Sequence, residues 1–129
     1  MKRRVVVTGM GAITPVGNTV DQMWEGLVNG KNGIDFITQF DASNLKVKIA
    51  GEVKNLNYDQ YLDPRESRRL DRTILLALCA ATQAYEDAKI DESKIDHDRF
   101  GVFVTSGIGG INTISDEARK CYEKGGDRV

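Results

Sequence analysis

The sequence is poor in the residue types that most often carry catalysis, metal binding or disulfides. Its 129 residues include one histidine, two cysteines, two prolines and one tryptophan. His97 lies between Asp96 and Asp98 in a polar turn, where we expect a solvated side chain. Cys79 falls in an apolar stretch and Cys121 in an amphipathic one, and neither has a neighbouring base to activate it. The sequence therefore predicts no catalytic dyad and no metal site.

An excess of charge of one sign and a long apolar run are also missing. Eighteen basic residues stand against nineteen acidic ones, for a net charge of −1, so the overall charge does not favour nucleic acid or an anionic membrane as a partner. No apolar run approaches the roughly 18 residues of a membrane span. Polar residues follow the basic N-terminus too soon for a signal peptide. With cysteines typical of reduced thiols, we expect a cytoplasmic protein without a cofactor.

The apolar pattern predicts an α/β fold. Strands are predicted over residues 4–8, which contain three consecutive valines, and over residues 100–105. Periodicity and capping signals predict helices over residues 19–28, from residue 63, over 71–88 and over 112–123. The order is β-α-loop-α-β-α, which favours parallel neighbouring strands. Alternation at Val47 and Ile49 indicates a further short extended segment in the irregular region before residue 58.

The helix predicted over residues 71–88 is apolar nearly all the way round, and helices of this kind are buried on most sides. Two strands make a poor sheet for such a helix to pack against. We therefore expect residues 1–129 to be the N-terminal portion of a larger domain, without a second domain in this chain.

The first glycine loop, after residues 4–8, resembles a phosphate-binding loop only superficially. Gly9 and Gly11 begin a dinucleotide fingerprint, but the third glycine is due at position 14, where the chain has Thr14. Pro15 and Gly17 then separate the loop from the following helix. No Gly-Lys-Ser/Thr follows any glycine loop, which excludes a P-loop.

The second glycine loop, residues 106–110, follows the second predicted strand. Ligands of open α/β sheets gather at the carboxyl ends of strands, and glycines let the backbone approach a ligand closely. Ile108 is the one larger side chain in this loop. A plain turn between strand and helix explains the composition equally well.

Four arginines recur at spacings that place them on one face of a helix, within an arc of about 100°. Like charges at these spacings repel by a few tenths of a kcal/mol per pair. The stripe is either solvated and partly neutralised by nearby acids, or directed at an acidic partner. The arginines are Arg65, Arg68, Arg69 and Arg72, and the acids are Asp63, Glu66 and Asp71.

Three segments together resemble the β-ketoacyl-acyl carrier protein synthases, the elongating condensing enzymes of type II fatty acid synthesis, and most closely their synthase II branch. The segments are residues 3–11 with 14–18, residues 40–41 with 50–53, and residues 106–110. The resemblance spans essentially the whole chain but only about the first third of such an enzyme. It implies a homodimer with a thiolase-like fold of layered αβαβα architecture, of which this chain is a partial N-terminal half.

The resemblance also implies a two-step reaction. A cysteine takes an acyl group from an acyl carrier protein, and malonyl-carrier protein is then decarboxylated and condensed with it. The nucleophilic cysteine and the two catalytic histidines of the family lie in segments beyond residue 129, and the cysteines and histidine of this chain do not occupy their motifs. The resemblance therefore places no catalytic residue in this chain, which alone is expected to be inactive.

Carried over residue by residue, the resemblance gives the second glycine loop and the arginines separate roles. The loop would form part of the acyl pocket through Gly107, Ile108 and Gly109, with Ile108 at its mouth helping to select chain length. The docking surface for the acidic carrier protein would comprise Arg65, Arg68, Arg69 and Arg128.

Three alternatives stay open on the sequence. One is a non-catalytic relative such as a chain-length factor of polyketide synthesis, which keeps the fold and lacks the nucleophile. Another is a condensing enzyme that extends a polyketide chain. Residues beyond 129 distinguish the first of these from an active enzyme. The third is a stand-alone binding module, for which residues 1–129 would form a stable monomer.

Overall fold

The computed structural model describes residues 3–128, which form helices joined by long irregular segments and two short strands. In chain order the elements are α1 (Val20–Val28), β1 (Ile34–Phe36), β2 (Ile49–Gly51), α2 (Pro64–Ser67), α3 (Arg72–Ala88) and α4 (Ile111–Lys124). Short 3₁₀ turns lie at Tyr58–Gln60, Glu92–Lys94, His97–Arg99 and Gly126–Arg128. The predicted helices are confirmed, with ends displaced by no more than about two residues.

The helix starts follow from local capping chemistry. The Thr19 hydroxyl accepts a hydrogen bond from the backbone N–H of Gln22 at 3.2 Å and so begins α1. Asp71 caps α3 in the same way, by accepting from the N–H of Thr73 at 2.7 Å. Asp63 caps α2 at the N–H of Arg65, also at 2.7 Å. These side chains satisfy backbone donors that have no partner inside the helix.

The two strands form one antiparallel pair in which Ile34 lies opposite Gly51. The extended segment expected near Ile49 is thereby confirmed as β2. A salt bridge of 2.7 Å links Asp35, in the middle of β1, to Lys54, three residues after β2, and both side chains are exposed.

The strands predicted over residues 4–8 and 100–105 are wrong for the described part of the chain. A β-strand exists through hydrogen bonds to a neighbouring strand, and neither segment has such a neighbour among residues 3–128. The parallel pairing is absent from these residues for the same reason. The apolar side chains are left exposed, at 87% for Val5 and 95% for Phe103.

Helix α3 is the centre of the small core, but its expected burial on most sides is wrong within residues 3–128. Cys79 is fully buried and Leu75 nearly so. Ile74, in contrast, is 46% exposed. Helix α3 has more apolar side chains than the described elements cover, because the segments around residues 5–7 and 102–104 form no sheet against it.

The opening segment packs on α3 by direct contact between backbones. A Cβ placed on Gly9 would overlap the carbonyl oxygen of Ala84, and one placed on Gly11 would overlap that of Ala80. The two alanines are four residues apart and share one face of the helix. Glycine on one side and alanine on the other therefore allow an approach that larger side chains would prevent. The glycines of the first loop therefore serve packing against α3.

Polar side chains of α3 fix the same segment in register. The Asp87 carboxylate accepts from the N–H of Met10 at 2.9 Å. The Gln83 amide oxygen accepts from the N–H of Ala12 at 3.1 Å. The Gln83 nitrogen donates to the carbonyl of Asn18 at 2.7 Å and to the Tyr61 hydroxyl at 2.9 Å. Gln83 thus connects the first glycine loop, α3 and the segment before α2.

Substituting Gly11 tests this backbone contact. Gly11→Ala should destabilise the protein by about 2 kcal/mol or more, because overpacking costs 1–3 kcal/mol even where side chains can shift, and here the added methyl meets backbone. Gly126→Ala is the matched control, since a Cβ there meets no atom within 4 Å. Urea unfolding of the two variants measures the difference, and equal midpoints would contradict the packing assignment.

Candidate functional site

The second glycine loop is an open turn that presents one apolar side chain. The Ser106 hydroxyl accepts from the N–H of Gly109 at 3.0 Å and closes the turn. Gly109 has φ +76°, in the left-handed region that favours glycine. A Cβ at Gly107 or Gly109 would meet no atom within 4 Å. Ile108 is 70% exposed, so the loop can offer its side chain to an apolar ligand.

The loop is attached to the start of α3 by a group of residues that we call the Asp71 clasp: Asp71, Thr73, Gly109, Gly110 and Thr113. The Thr73 hydroxyl donates to the carbonyl of Gly109 at 3.0 Å. The Thr113 hydroxyl donates to Oδ2 of Asp71 at 2.6 Å. A Cβ on Gly110 would lie 2.5 Å from the same Oδ2. The Asp71 carboxylate therefore contacts α3, the loop and α4 at one point.

Hydrogen bonding lowers the pKa of Asp71 below its ordinary value. The largest cause is the hydroxyl of Thr113, followed by the N–H of Thr73. The carboxylate is consequently charged at neutral pH and acts as an acceptor only. Because its pKa is lowered on folding, the stability it contributes is present at neutral pH and is lost as the pH falls through the folded-state pKa.

The arginines do not form one helical stripe. Arg65 lies in α2, Arg68 is the last half-helical residue of α2, and Arg69 lies in the turn before α3. The single helical face expected for them is wrong, because α2 ends at Ser67 and a turn separates it from α3.

Arg72 is directed into the structure instead of joining the exposed arginines. Its guanidinium donates to the Tyr58 hydroxyl at 3.0 Å and to the carbonyl of Val53 at 2.8 Å. These bonds tie the segment after β2 to the first turn of α3. Arg72 therefore has a structural role, which the regular spacing of the four arginines did not predict.

Arg65, Arg68 and Arg69 are exposed and, within residues 3–128, none has a carboxylate within salt-bridge distance. The nearby acids Asp63, Glu66 and Asp71 form no salt bridge with these arginines in the described structure, and Asp63 and Asp71 accept hydrogen bonds as helix caps instead. Arg65 in α2 and the turn residues Arg68 and Arg69 thus present positive charges on one exposed stretch without a direct ion pair. Such a patch favours the approach of an acidic surface.

The structure brings this patch and the second glycine loop to the same end of α3. Arg69 lies two residues before Asp71, and Asp71 contacts Thr113 and Gly110 across the chain. The segment that carries the predicted docking arginines and the loop that carries the predicted pocket residues thus both adjoin the N-terminus of α3. Arg128 belongs to the 3₁₀ turn Gly126–Arg128, and its side chain lies outside the described part of the structure.

A cavity of about 760 Å³ lies elsewhere, between the first glycine loop, α1 and the β1–β2 pair. Its two lysines already have partners. Lys31 donates to the carbonyl of Val16 at 2.8 Å, and Lys54 forms the salt bridge with Asp35. The cavity therefore offers no unpaired lysine to a ligand, and we do not assign it a site.

The thiols and the histidine lie where the sequence placed them. Cys79 is fully buried and Cys121 is exposed on α4. Burial raises the pKa of the Cys79 thiol. His97 is in an exposed 3₁₀ turn. Across residues 3–128 no three His, Cys, Asp or Glu side chains are grouped for a metal ion, and no helix is both long and apolar enough to cross a bilayer.

Sequence reasoning missed the Asp71 clasp and the connecting role of Gln83. The start of α3 at Asp71 was readable as an N-cap signal. The partner of Asp71, Thr113, is 42 residues away, however, and no local pattern indicates such a pairing. The contacts of Gln83 could not be predicted either, because it is a single polar residue within a mostly apolar helix.

Comparison with known proteins adds sequence evidence. The family model for the N-terminal domain of β-ketoacyl synthases matches residues 2–128. The 3-oxoacyl-[acyl-carrier-protein] synthase 2 of Synechocystis sp. (strain PCC 6803) is 46% identical over 127 residues, and that of Staphylococcus aureus (strain COL) is 44% identical over 127. Both alignments cover 98% of this chain. The chain spans only 30% and 31% of the lengths of these curated relatives.

Solved structures show the same fold. A type II polyketide ketosynthase in complex with its acyl-carrier protein superposes with a TM-score of 0.74 at 25% identity, over 96% of this chain and 32% of its own. The ishigamide ketosynthase/chain length factor superposes with a TM-score of 0.77 at 27% identity, over 97% and 31%. The expected thiolase-like fold, as a partial N-terminal domain, is confirmed by these neighbours.

The two thiols should differ sharply in reactivity. Iodoacetamide should alkylate Cys121 about tenfold faster or more than Cys79 at neutral pH, because attack requires an accessible thiolate and Cys79 is buried with a raised pKa. Mass spectrometry of the labelled peptides measures both rates. In concentrated urea the rates should converge, and equal rates in the folded protein would contradict the burial of Cys79.

Proposed function

Because the chain belongs to the β-ketoacyl synthase family through its N-terminal domain, we propose that it is the front portion of a 3-oxoacyl-acyl carrier protein synthase of the synthase II type. The enzyme would extend an acyl chain by two carbons through decarboxylative Claisen condensation of malonyl-carrier protein with acyl-carrier protein. The observation that carries this proposal is the identity with two enzymes of that name along nearly the whole chain.

The catalytic groups come from outside residues 1–129. Cys79 is buried with a raised pKa, which disfavours the thiolate that acyl transfer requires, and Cys121 and His97 lie on separate exposed elements, α4 and a 3₁₀ turn. The part played by this segment is to shape the entrance for substrates. The segment alone is inactive.

The whole enzyme acts in the cytoplasm as a homodimer, with acyl carrier protein as its partner. Exposed apolar side chains at residues 5–7 and 102–104 support a larger assembly, because an isolated soluble domain seldom exposes so many together. These segments are suited to strands that complete a sheet with further parts of the protein.

A second candidate function is favoured by the structural neighbours, which include a polyketide ketosynthase and a ketosynthase/chain length factor. A chain-length-factor-like protein or a polyketide ketosynthase shares this fold. Their lower identity to this chain makes fatty acyl elongation the better proposal. The presence or absence of a nucleophilic cysteine in the remainder of the protein separates an active enzyme from a chain length factor.

The second glycine loop forms one wall of the acyl pocket. Gly107 and Gly109 leave free space around Ile108, whose exposed β-branched side chain is suited to contact an alkyl chain. Ile108 stands at the pocket mouth and helps to select chain length.

The three exposed arginines dock the acidic carrier protein. Arg65, Arg68 and Arg69 have no carboxylate partner among the described residues, so their charges are available to another surface. Arg128 extends the patch. Electrostatic complementarity of this kind chiefly accelerates encounter and fixes orientation.

Reversing charge at the docking surface tests the partner. The double variant Arg68→Glu, Arg69→Glu in the full-length protein should raise the KM for acyl-carrier protein about tenfold. Its activity with a small acyl thioester that lacks the carrier protein should stay unchanged. Arg99→Glu, an exposed arginine in another turn, is the control. Steady-state kinetics at two salt concentrations give the measurement, and an unchanged KM would exclude this docking surface.

Enlarging Ile108 tests the pocket. Ile108→Trp should reduce kcat/KM for a fourteen-carbon acyl donor about tenfold more than for a six-carbon donor, because losing apolar contact and space at a pocket wall is worth 1–3 kcal/mol. Ile108→Val should keep the preference of the unchanged enzyme. Product analysis with both donors measures the ratio. Equal losses of kcat/KM for the two donors would contradict the assignment of Ile108 to the pocket mouth.

A further inference from the structure

We propose that Asp71, Thr73 and Thr113 are positioning residues that hold the second glycine loop, and through it Ile108, in the place from which acyl chains are selected. This inference rests on the function proposed above. It concerns residues that contact neither the acyl chain nor the carrier protein and act only through the loop.

The loop depends on hydrogen bonds for its position because it has little packing of its own. Ile108 is 70% exposed, and the space around Gly107 and Gly109 is empty. Apart from its internal bond to Ser106, the loop is joined to α3 by the hydroxyl of Thr73. A loop with few apolar contacts and one side-chain hydrogen bond to α3 becomes more mobile when that bond is removed.

The other side of the loop is fixed through α4. The N-cap residue of this helix is Gly110, which has no side chain to cap the first turn. Asp71 lies against Gly110 and accepts from Thr113 in the first turn. The same carboxylate caps α3 through the N–H of Thr73. One negative charge is therefore placed at the N-termini of two helices, where their dipoles favour an anion.

The contact between Gly110 and Asp71 leaves no space for a side chain at position 110. A Cβ at Gly110 would approach Asp71 within 2.5 Å, so the backbone of the loop lies directly on the carboxylate. The lowered pKa of Asp71 agrees with a carboxylate held by these donors. The clasp also begins two residues after Arg69, so it joins the loop to the docking patch.

The threonines give cleaner tests than Asp71, because substituting Asp71 also removes the cap of α3. Thr73→Val and Thr113→Val each remove one hydroxyl and keep the branched shape of the side chain. Thr73→Ser and Thr113→Ser keep the hydroxyl and serve as the conservative partners. Thr14→Val is the matched control, since it removes a hydroxyl that donates to the carbonyl of Gly17 at 3.0 Å in the first glycine loop.

The experiment measures selectivity in the full-length protein. Hexanoyl and tetradecanoyl thioesters of pantetheine serve as donors, so that docking of the carrier protein does not enter. Each Thr→Val variant should reduce the discrimination between the two donors about threefold to tenfold, as expected for losing one hydrogen bond. The Thr→Ser variants should restore it, and Thr14→Val should leave the ratio unchanged even if its stability falls.

Hydrogen–deuterium exchange of residues 107–112 on the same proteins supplies a second readout. Exchange there should accelerate in Thr73→Val and Thr113→Val and stay slow in the Ser variants and in Thr14→Val. If both Val variants keep the donor ratio and slow exchange, the clasp does not position the loop. If the unchanged protein condenses neither donor, the proposed function fails, and exchange still decides whether the clasp holds the loop.

Discussion

The close approach of the opening segment to helix α3 is the constraint on which the rest of the structure depends. Gly9 and Gly11 lie against the backbone at Ala84 and Ala80, with no side chain between them. Because the backbones of the opening segment and α3 touch directly, the neighbouring polar groups come within hydrogen-bond distance. Gln83 can therefore reach both the first glycine loop and Tyr61. The small residues thus set the distance, and the polar residues then set the register.

Helix α3 also organises the candidate site at its other end. Asp71 begins the helix as a cap and at the same time receives the first turn of α4 and the second glycine loop. The exposed arginines precede it directly in the chain. One helix therefore joins a packing surface near its C-terminus to a functional surface at its N-terminus, and the buried Leu75 and Cys79 lie between them.

The parts of this structure that local chemistry decides could be predicted from the sequence. Thr19, Asp63 and Asp71 are capping residues, and the helices begin where these side chains predict. The extended segment at Ile49 followed from alternation in the same way. The glycine loop and the family were likewise visible, because they depend on contiguous motifs.

What could not be predicted depends on residues far apart in the chain. Residues 4–8 and 100–105 have strand-like composition, but a strand also needs a neighbour, which composition does not reveal. The spacing of the arginines predicted a single face, yet a cap at Asp71 divided the helix and Arg72 turned towards Tyr58. The hydrogen bond between Thr113 and Asp71 spans 42 residues, and no local sequence pattern predicts it.

The contact between the opening segment and α3 has a consequence for the order of events during synthesis. Met10 leaves the ribosome 77 residues before its partner Asp87. At the usual 5–20 residues per second, the opening valines wait roughly 4 to 15 s before the helix that receives their segment exists. Helix α3 can form early because its contacts are local, whereas the first segment must close a long loop to reach it. The first part of the chain to be made therefore cannot pack until residues made much later are available.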